Sequence, residues 1–355
     1  MIYRECGQLK TSYPADQAIF PIPQDRWGII ILLLVAFLFI PLLANDYWLG
    51  AILIPFLILS LAALGLNILT GYCGQLSLGS AAFMAVGAFA AYNFELRLPA
   101  MPLLIDFILA GIVAAGVGIL FGIPSLRIKG FYLAVATLAA QFFIEWALNK
   151  FGWFSNYSPS GVITAQKMVI LGYAFDTPVS KYLLVLGIVT VLALMAKNLV
   201  RNAIGRAWMA VRDMDVAAEV IGIRMMKTKL MAFAISSFYC GVAGALWAFA
   251  YLGTVDAQAF DLHRSFQILF MIIVGGMGSI LGSFIGAAFI VLLPIFLNLA
   301  AHAVVGDAVR PDVLSNLELI VFGGLIIFFL VVEPLGLARL WQLAKEKLRL
   351  WPFPH

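Results

Sequence analysis

Residues 28–45 read GIIILLLVAFLFIPLLAN, eighteen positions without a charged side chain. A helix rising 1.5 Å per residue needs about 20 such residues to cross the ~30 Å hydrocarbon core of a bilayer. With no water in that core, a single unpaired apolar run satisfies its backbone only as a helix. The stretch follows a polar tail containing Arg4, Lys10, Asp16 and Asp25 and runs straight into Asn45-Asp46. A cleavable signal would start nearer the terminus and end in small residues, so the run reads as a retained first helix.

Nine further apolar runs follow, near 49–70, 79–94, 102–122, 130–149, 182–200, 229–252, 266–277, 280–300 and 317–334. The 355 residues are 63% hydrophobic and 11% charged, with mean hydropathy +1.03, whereas soluble domains run nearer a quarter charged. A β-barrel would show short alternating segments. The expected fold is therefore all-α: a polytopic membrane protein of about ten transmembrane helices. Residues 28–334 form one membrane domain, between a cytoplasmic tail (1–27) and an amphipathic cytoplasmic tail (335–355). The third and eighth runs are short, which leaves open whether 79–94 and 266–277 span fully.

Lys and Arg set the orientation. With the N-terminus inside, sixteen of the 22 fall on the cytoplasmic side: in the N-tail, at Arg127 and Lys129, between Lys197 and Lys229, and in the C-tail. Six remain outside, at Arg97, Lys150, Lys167, Lys181, Arg264 and Arg310. Both termini are thus expected inside. The net charge of +4 collects at membrane flanks and gives no sign of nucleic-acid binding. The largest outside loop, 150–181, carries Trp153, Phe154, Tyr157, Tyr173 and Phe175, which suit either an interfacial aromatic belt or a docking surface for an external partner. In the C-tail, Leu337, Leu340, Trp341, Ala344 and Leu348 recur at helical spacing beside Lys345, Lys347 and Arg349, the pattern of a helix lying on anionic lipid.

Chemistry-bearing side chains are sparse. Cys6, Cys73 and Cys240 are scattered, and His263, His302 and His355 have no ligand-type partner at metal spacing. No catalytic residue, cofactor site or metal site emerges. Asp106, Glu145, Glu318 and Glu333 lie near run ends, within reach of the interface. A carboxylate at mid-span costs roughly 2.5–3.5 kcal/mol on insertion scales, and ion-coupled carriers accept that cost. No such residue stands out here, which weighs against a secondary carrier, while a channel-like facilitator is a third possibility.

Two Gly-rich stretches stand out: GYCGQLSLGSAAFMAVGAFAA at 71–91 and GGMGSILGSFIGAAF at 275–289. Gly278, Gly282 and Gly286 are expected on one helical face, where backbones pack closely. Gly71, Gly74 and Gly79 weaken helical continuity and bring Gln75 and Ser77 to membrane depth, which is tolerated only in a protein-buried or wet setting. These two, with Gln141, are the candidate pathway-lining residues. The shared pattern, Leu78-Gly79-Ser80 and Leu281-Gly282-Ser283, lies in opposite halves of the chain and suggests an internal pseudo-repeat, a pointer to a translocation path.

The most charged stretch, GRAWMAVRDMDVAAEVIGIR at 205–224, lies between two apolar runs, inside the cytoplasmic segment 201–229. Arg206 to Ile221 is helix-forming, with Gly205 and Gly222 as its expected ends. Trp208, Val211 and Ala218 can share one face, with Arg212, Asp213 and Glu219 near the polar side. Ala217, Ala218 and Gly222 offer a surface of small residues to another protein.

Ala217-Ala218…Gly222 resembles the Glu-Ala-Ala…Gly loop of ABC importer permeases, with Val216 at the Glu position and Asp215 and Glu219 flanking it. More broadly, GYCGQLSLGSAAFMAVGAFAAY, GFYLAVATLA, the 205–224 stretch with KLMAFAISSFYCGVAGAL, and VGGMGSILGSFIGA resemble, in order, the LivM-type permease family of branched-chain amino acid importers. The resemblance implies a non-enzymatic transport subunit paired with a second, LivH-type permease. It further implies two LivG/LivF-type ATPase subunits and a periplasmic or surface solute-binding protein. Arg212, Asp213, Asp215, Ala217, Ala218, Glu219 and Gly222 would couple to the ATPases. ATP would be bound by those partners, in keeping with the lack of a G-x-x-x-x-G-K-[ST] loop here. Related permeases carry urea, short amides or aromatic acids.

Overall fold

The computed structural model describes residues 12, 23–99, 101–125, 131–158, 161–165, 168–170, 173–305, 311–333 and 335–350. Each of the ten apolar runs lies on a helix. α1 consists of Pro23–Leu34, a π turn Val35–Phe39 and Ile40–Leu43, and α2 of a π turn Trp48–Leu53, Ile54–Asn67 and a second π turn Ile68–Tyr72. Then come α3 (Ser80–Arg97), α4 (Leu103–Ser125), α5 (Phe131–Lys150) and α6 (Pro178–Arg201). The charged segment 201–229 holds α7 (Ala203–Asp213) and α8 (Asp215–Val220). α9 is Met225–Leu246 continued by a π turn Trp247–Leu252, followed by α10 (Leu262–Gly275), α11 (Ile280–Val305), α12 (Pro311–Val332) and α13 (Gly336–Leu350).

Among the described residues, six stretches are long and apolar enough to cross a membrane: Asp25–Leu43, Trp48–Tyr72, Leu103–Ile123, Pro178–Arg201, Met225–Leu252 and Ile280–Leu299. The short third and eighth runs, α3 and α10, are not among these six. α10 has 14 residues and rises only about 21 Å. The chain is a multi-pass helical membrane protein with almost no sheet.

α2 and α9 form the centre, with 78% and 72% of their apolar stretches buried against none of α1. Lipid tails are as apolar as leucine, so the bundle closes by backbone contact rather than by hiding apolar surface. A Cβ at Gly87 of α3 would overlap the Gly241 carbonyl of α9, and one at Gly244 would overlap the Met84 carbonyl of α3. α10 and α11 meet the same way, Gly275 on the Gly282 carbonyl and Gly286 on that of Met271. Gly278 departs from the expected face. It precedes α11 with φ +76°, a left-handed conformation that ends the helical register, so Gly282 and Gly286 pack on α10 without it.

Contacts between loops join segments that the charge distribution assigns to one side. On the side read as external, Arg97 stacks 3.6 Å over Trp153 and donates to its carbonyl. There, too, strand β1 (Ile163–Thr164) pairs antiparallel with β4 (Thr254–Val255), while β2 (Val169–Ile170) and β3 (Tyr173–Ala174) form a hairpin. Trp153 and Tyr157 are exposed, whereas Phe154 and Phe175 pack on the core, so the aromatic set divides; the Tyr173 side chain lies outside the described residues. On the opposite side, Lys345 of α13 pairs with Asp25 at 2.5 Å, and Leu340 and Trp341 stay exposed. The expected positions Arg127, Lys129, Lys167 and Arg310, and the side chains of Leu348 and Arg349, lie outside the described residues.

Gly244→Val is expected to destabilise the detergent-solubilised protein by at least the about 1–3 kcal/mol typical of overpacking. Gly116→Val, where nothing lies within 4 Å of an added Cβ, should leave the thermal midpoint unchanged. Equal midpoints for the two variants would contradict the packing described.

Candidate functional site

The 205–224 segment folds as two helices rather than one. Met214 is extended (φ −158°, ψ 99°) and separates α7 from α8. Gly205 lies inside α7 with no room for a Cβ beside the Val200 carbonyl, and Asn202, whose side chain accepts from the Ala203 N–H, caps the start. The far end matches expectation. Gly222 has φ +91°, its N–H donates to the Glu219 carbonyl, and the Ile223 N–H donates to that of Ala218, which is a Schellman C-cap.

Trp208, Val211 and Ala218 do share a buried face. The Trp208 indole N–H donates to the Thr228 carbonyl at 3.1 Å and ties α7 to the first turn of α9. Ala218 is only 2% exposed, so its methyl faces its own chain and presents nothing to a partner. The open surface is instead apolar: Met214, Val216, Val220 and Ile221 are 65–82% exposed, with Ala217 and Glu219 between them. Asp213 is exposed and Asp215 half-buried. Arg212 is partly exposed, and its guanidinium reaches inward. Its Nε and Nη2 hold Asp213 Oδ1 at 2.9 Å, while its Nη1 donates at 3.0 Å to the carbonyl of Gly71.

Gly71 is where the two Gly-rich stretches meet. A Cβ there would overlap Asn67 Oδ1 and the Gly278 nitrogen. Asn67, fully buried in α2, accepts from the Gly278 N–H and donates to the Ser279 carbonyl and Ser283 Oγ, each at 2.8 Å. One amide thereby fastens the 276–279 break to the end of α2. The α2–α3 break, 73–79, turns at Gly74 with φ +72°.

Beyond that break, α3 begins with free N–H groups, as every helix does. Side chains from distant elements satisfy them. The Ala81 N–H donates to Ser265 Oγ of α10 at 2.9 Å and the Ala82 N–H to Gln141 Oε1 of α5 at 2.7 Å. Gln141 also accepts from Ser265 and donates to the Phe260 carbonyl at 2.8 Å. Thr137 Oγ1 accepts from the Leu78 N–H.

The three expected pathway residues therefore part company. Gln141 is fully buried and engaged at both ends of its amide, a strut rather than a solute contact. Ser77 is 2% exposed and closes a local turn by accepting from the Gly79 N–H. Gln75 is 4% exposed, and neither its Oε1 nor its Nε2 has a hydrogen-bond partner among the described residues; the Ser80 hydroxyl is in the same state. Such buried groups are costly without a partner. Asp106, expected to reach the interface, is 1% exposed with an unpartnered Oδ1, because packing of α4 covers its first turn. Asn67, Thr137 and Ser265 were not singled out in the sequence. The available signal was an Asn within a run otherwise free of amides.

Gln141→Leu orphans a buried N–H and a buried carbonyl, each worth about 1–3 kcal/mol, and should lower the thermal midpoint sharply. Gln75→Leu breaks no side-chain hydrogen bond and should leave the midpoint unchanged or raised. Differential scanning fluorimetry of both variants in detergent checks the contrast.

The chain matches the family described as branched-chain amino acid transport system / permease component over residues 48–330. It is 30% identical over 302 residues to the high-affinity branched-chain amino acid transport system permease protein LivM of Salmonella typhimurium, and 29% identical over 302 residues to that of Escherichia coli. Each alignment covers 77% of this chain and 66% of the relative, so the chain spans just under two thirds of their length. A probable LivM permease of Methanocaldococcus jannaschii is 26% identical over 243 residues, covering 66% of this chain and 68% of the relative. No solved structure matches the chain. With the match running from the start of α2 almost to the end of α12, across both Gly-rich breaks and the α7–α8 segment between them, the chain belongs to the branched-chain amino acid transport permease family, a family of transport components rather than enzymes.

Proposed function

We propose that this chain is a transmembrane permease subunit of an ATP-driven importer for branched-chain amino acids, working in a bacterial inner membrane with both termini cytoplasmic. It pairs with a second, LivH-type permease. Two LivG/LivF-type ATPase subunits bind and hydrolyse ATP, and a periplasmic or surface solute-binding protein delivers the solute. The observation that carries this reading is the α7–α8 pair: too short to span and pinned by Trp208, it presents four large apolar side chains outward on the cation-rich side. Lone apolar residues are ordinary on a surface, but a contiguous set on a rigid helix pair marks a protein interface. The substrate class rests on the relatives' names.

On this reading the coupling surface is Met214, Val216, Ala217, Glu219, Val220 and Ile221, with Asp213 and Asp215 at its edge and Gly222 fixing where it ends. Ala218 supports it from behind. Gln75 and Ser80, with unspent hydrogen-bonding capacity, are the pathway contacts, and Ser77 shapes the turn that places them.

Co-purification in mild detergent from the native membrane tests the class. A second permease and two ATPases are expected with the wild type. Val220→Asp, which sets a charge in the apolar patch, is expected to lose the ATPases while the permease pair stays intact. Recovery of the chain alone, beside a control complex that survives, would favour an ion-coupled carrier. Ligand screening of the co-encoded binding protein separates leucine, isoleucine and valine from urea, amides and aromatic acids. Gln75→Leu should lower uptake without lowering the thermal midpoint.

A further inference from the structure

The Arg212 guanidinium reaches 141 residues back along the chain to the carbonyl of Gly71. The contact is built on both sides. Asp213 holds Nε and Nη2, which orients the planar fork and aims Nη1 at the carbonyl. The arginine stem fills the space that a side chain at position 74 would take: a Cβ on Gly74 would lie 2.9 Å from Arg212 Cγ. The same Nη1 would lie 3.2 Å from a Cβ on Gly278. Arg212 thus touches both breaks at the point where they cross. The acceptor belongs to the π turn Ile68–Tyr72, whose own ladder is irregular, and the next residues are the break that carries Gln75.

We infer that Arg212 is a positioning residue that transmits motion of the cytoplasmic α7–α8 pair to the α2–α3 break through the Gly71 carbonyl. This inference rests on the importer reading above and adds a division of labour within the segment. The apolar outer face docks the ATPase, and Arg212 on the inner face grips the transmembrane domain. α7 has a second anchor, Trp208 on Thr228 at the start of α9, so a displaced α7 pulls on the ends of α2 and α9 together. α2 and α9 are the central helices of the bundle. The break moves with Gly71 because the Gly74 and Gln75 N–H groups donate to the Thr70 and Leu69 carbonyls of the same turn, and Gly278 follows because Asn67 holds its N–H. Coupling of this kind travels through contiguous packed and hydrogen-bonded groups with discrete alternative arrangements.

Cys73 reports on this clasp. It sits two residues beyond Gly71 and is 2% exposed, so packing shields its thiol from maleimide while the clasp holds. The experiment uses the complete co-purified transporter in proteoliposomes, with uptake and ATP hydrolysis measured together and maleimide labelling of Cys73 read by peptide mass. Arg212→Ala should keep the ATPase subunits at wild-type ratio and hydrolysis within about twofold. Uptake per ATP should fall about tenfold, within the range of ordinary coupling energies, and Cys73 labelling should rise. Arg212→Lys, which keeps the charge but not the fork, should fall between. Asp213→Ala, on an exposed side chain, should give a smaller loss of the same kind, and Gly74→Val should reproduce Arg212→Ala with the arginine still present. Unchanged uptake per ATP, or unchanged Cys73 labelling, overturns the inference. Loss of the ATPases from Arg212→Ala also overturns it, making Arg212 a docking residue. Failure of the wild type to bring down any ATPase overturns the importer reading itself, and Cys73 labelling then still tells whether the Arg212–Gly71 contact holds the break.

Discussion

Backbone touching backbone is the constraint on which this structure depends. Lipid offers no gain for burying one apolar helix against another, so helices associate through close van der Waals contact and a few polar ties. α9 lies at the centre because Gly87 and Gly244 let α3 and α9 come in to carbonyl distance, Gly241 admits Ala114 of α4, and α10 and α11 meet through Gly275, Gly282 and Gly286. The crossing of Gly71 and Gly278 is the same device placed at a different point. There the last turn of α2, rather than a second helix, is pressed against an interruption of helix.

That placement shapes the chemistry available to the protein. Broken backbone at membrane depth must find partners within the protein. Asn67 supplies them for the 276–279 break, Thr137 for Leu78, and Gln141 with Ser265 for the first turn of α3. The polar side chains of the interior are therefore mostly committed to holding backbone. Gln75 and Ser80, in or next to the break, are exceptions with hydrogen-bonding capacity left over.

The charged α7–α8 segment joins this interior to the surface. Its two faces differ in kind: an outer one of Met214, Val216, Val220 and Ile221, and a buried inner one of Trp208, Val211 and Ala218, with Arg212 reaching in from the edge. Trp208 and Arg212 connect it to the two central helices, which makes it an extension of the core rather than a loop lying on it. A short amphipathic helix without such anchors would be free to move by itself.

The sequence by itself determined the class. Charge-free runs near bilayer length admit only helices in lipid, the Lys and Arg distribution divides the loops into two groups, and the loop contacts respect that division. The ordered Gly-rich and Ala-rich motifs were enough to reach the family. Local rules also located Gly222 at a helix end, because its left-handed conformation is written in the residue type. Tertiary structure alone decided the rest. Met214 breaks α7 from α8 although no residue there is a helix breaker. Ala218 faces inward while Ala217 faces outward, because the packing of α8 on the rest of the chain sets its phase. Gln141, read as a pathway residue, is a strut, because its partners lie 59 and 119 residues away. Arg212, one charge among several on a polar face, meets Gly71 across 141 residues. Periodicity and composition describe what a residue does to its neighbours in the chain, and each of these outcomes depends on a partner that folding brings from far along it.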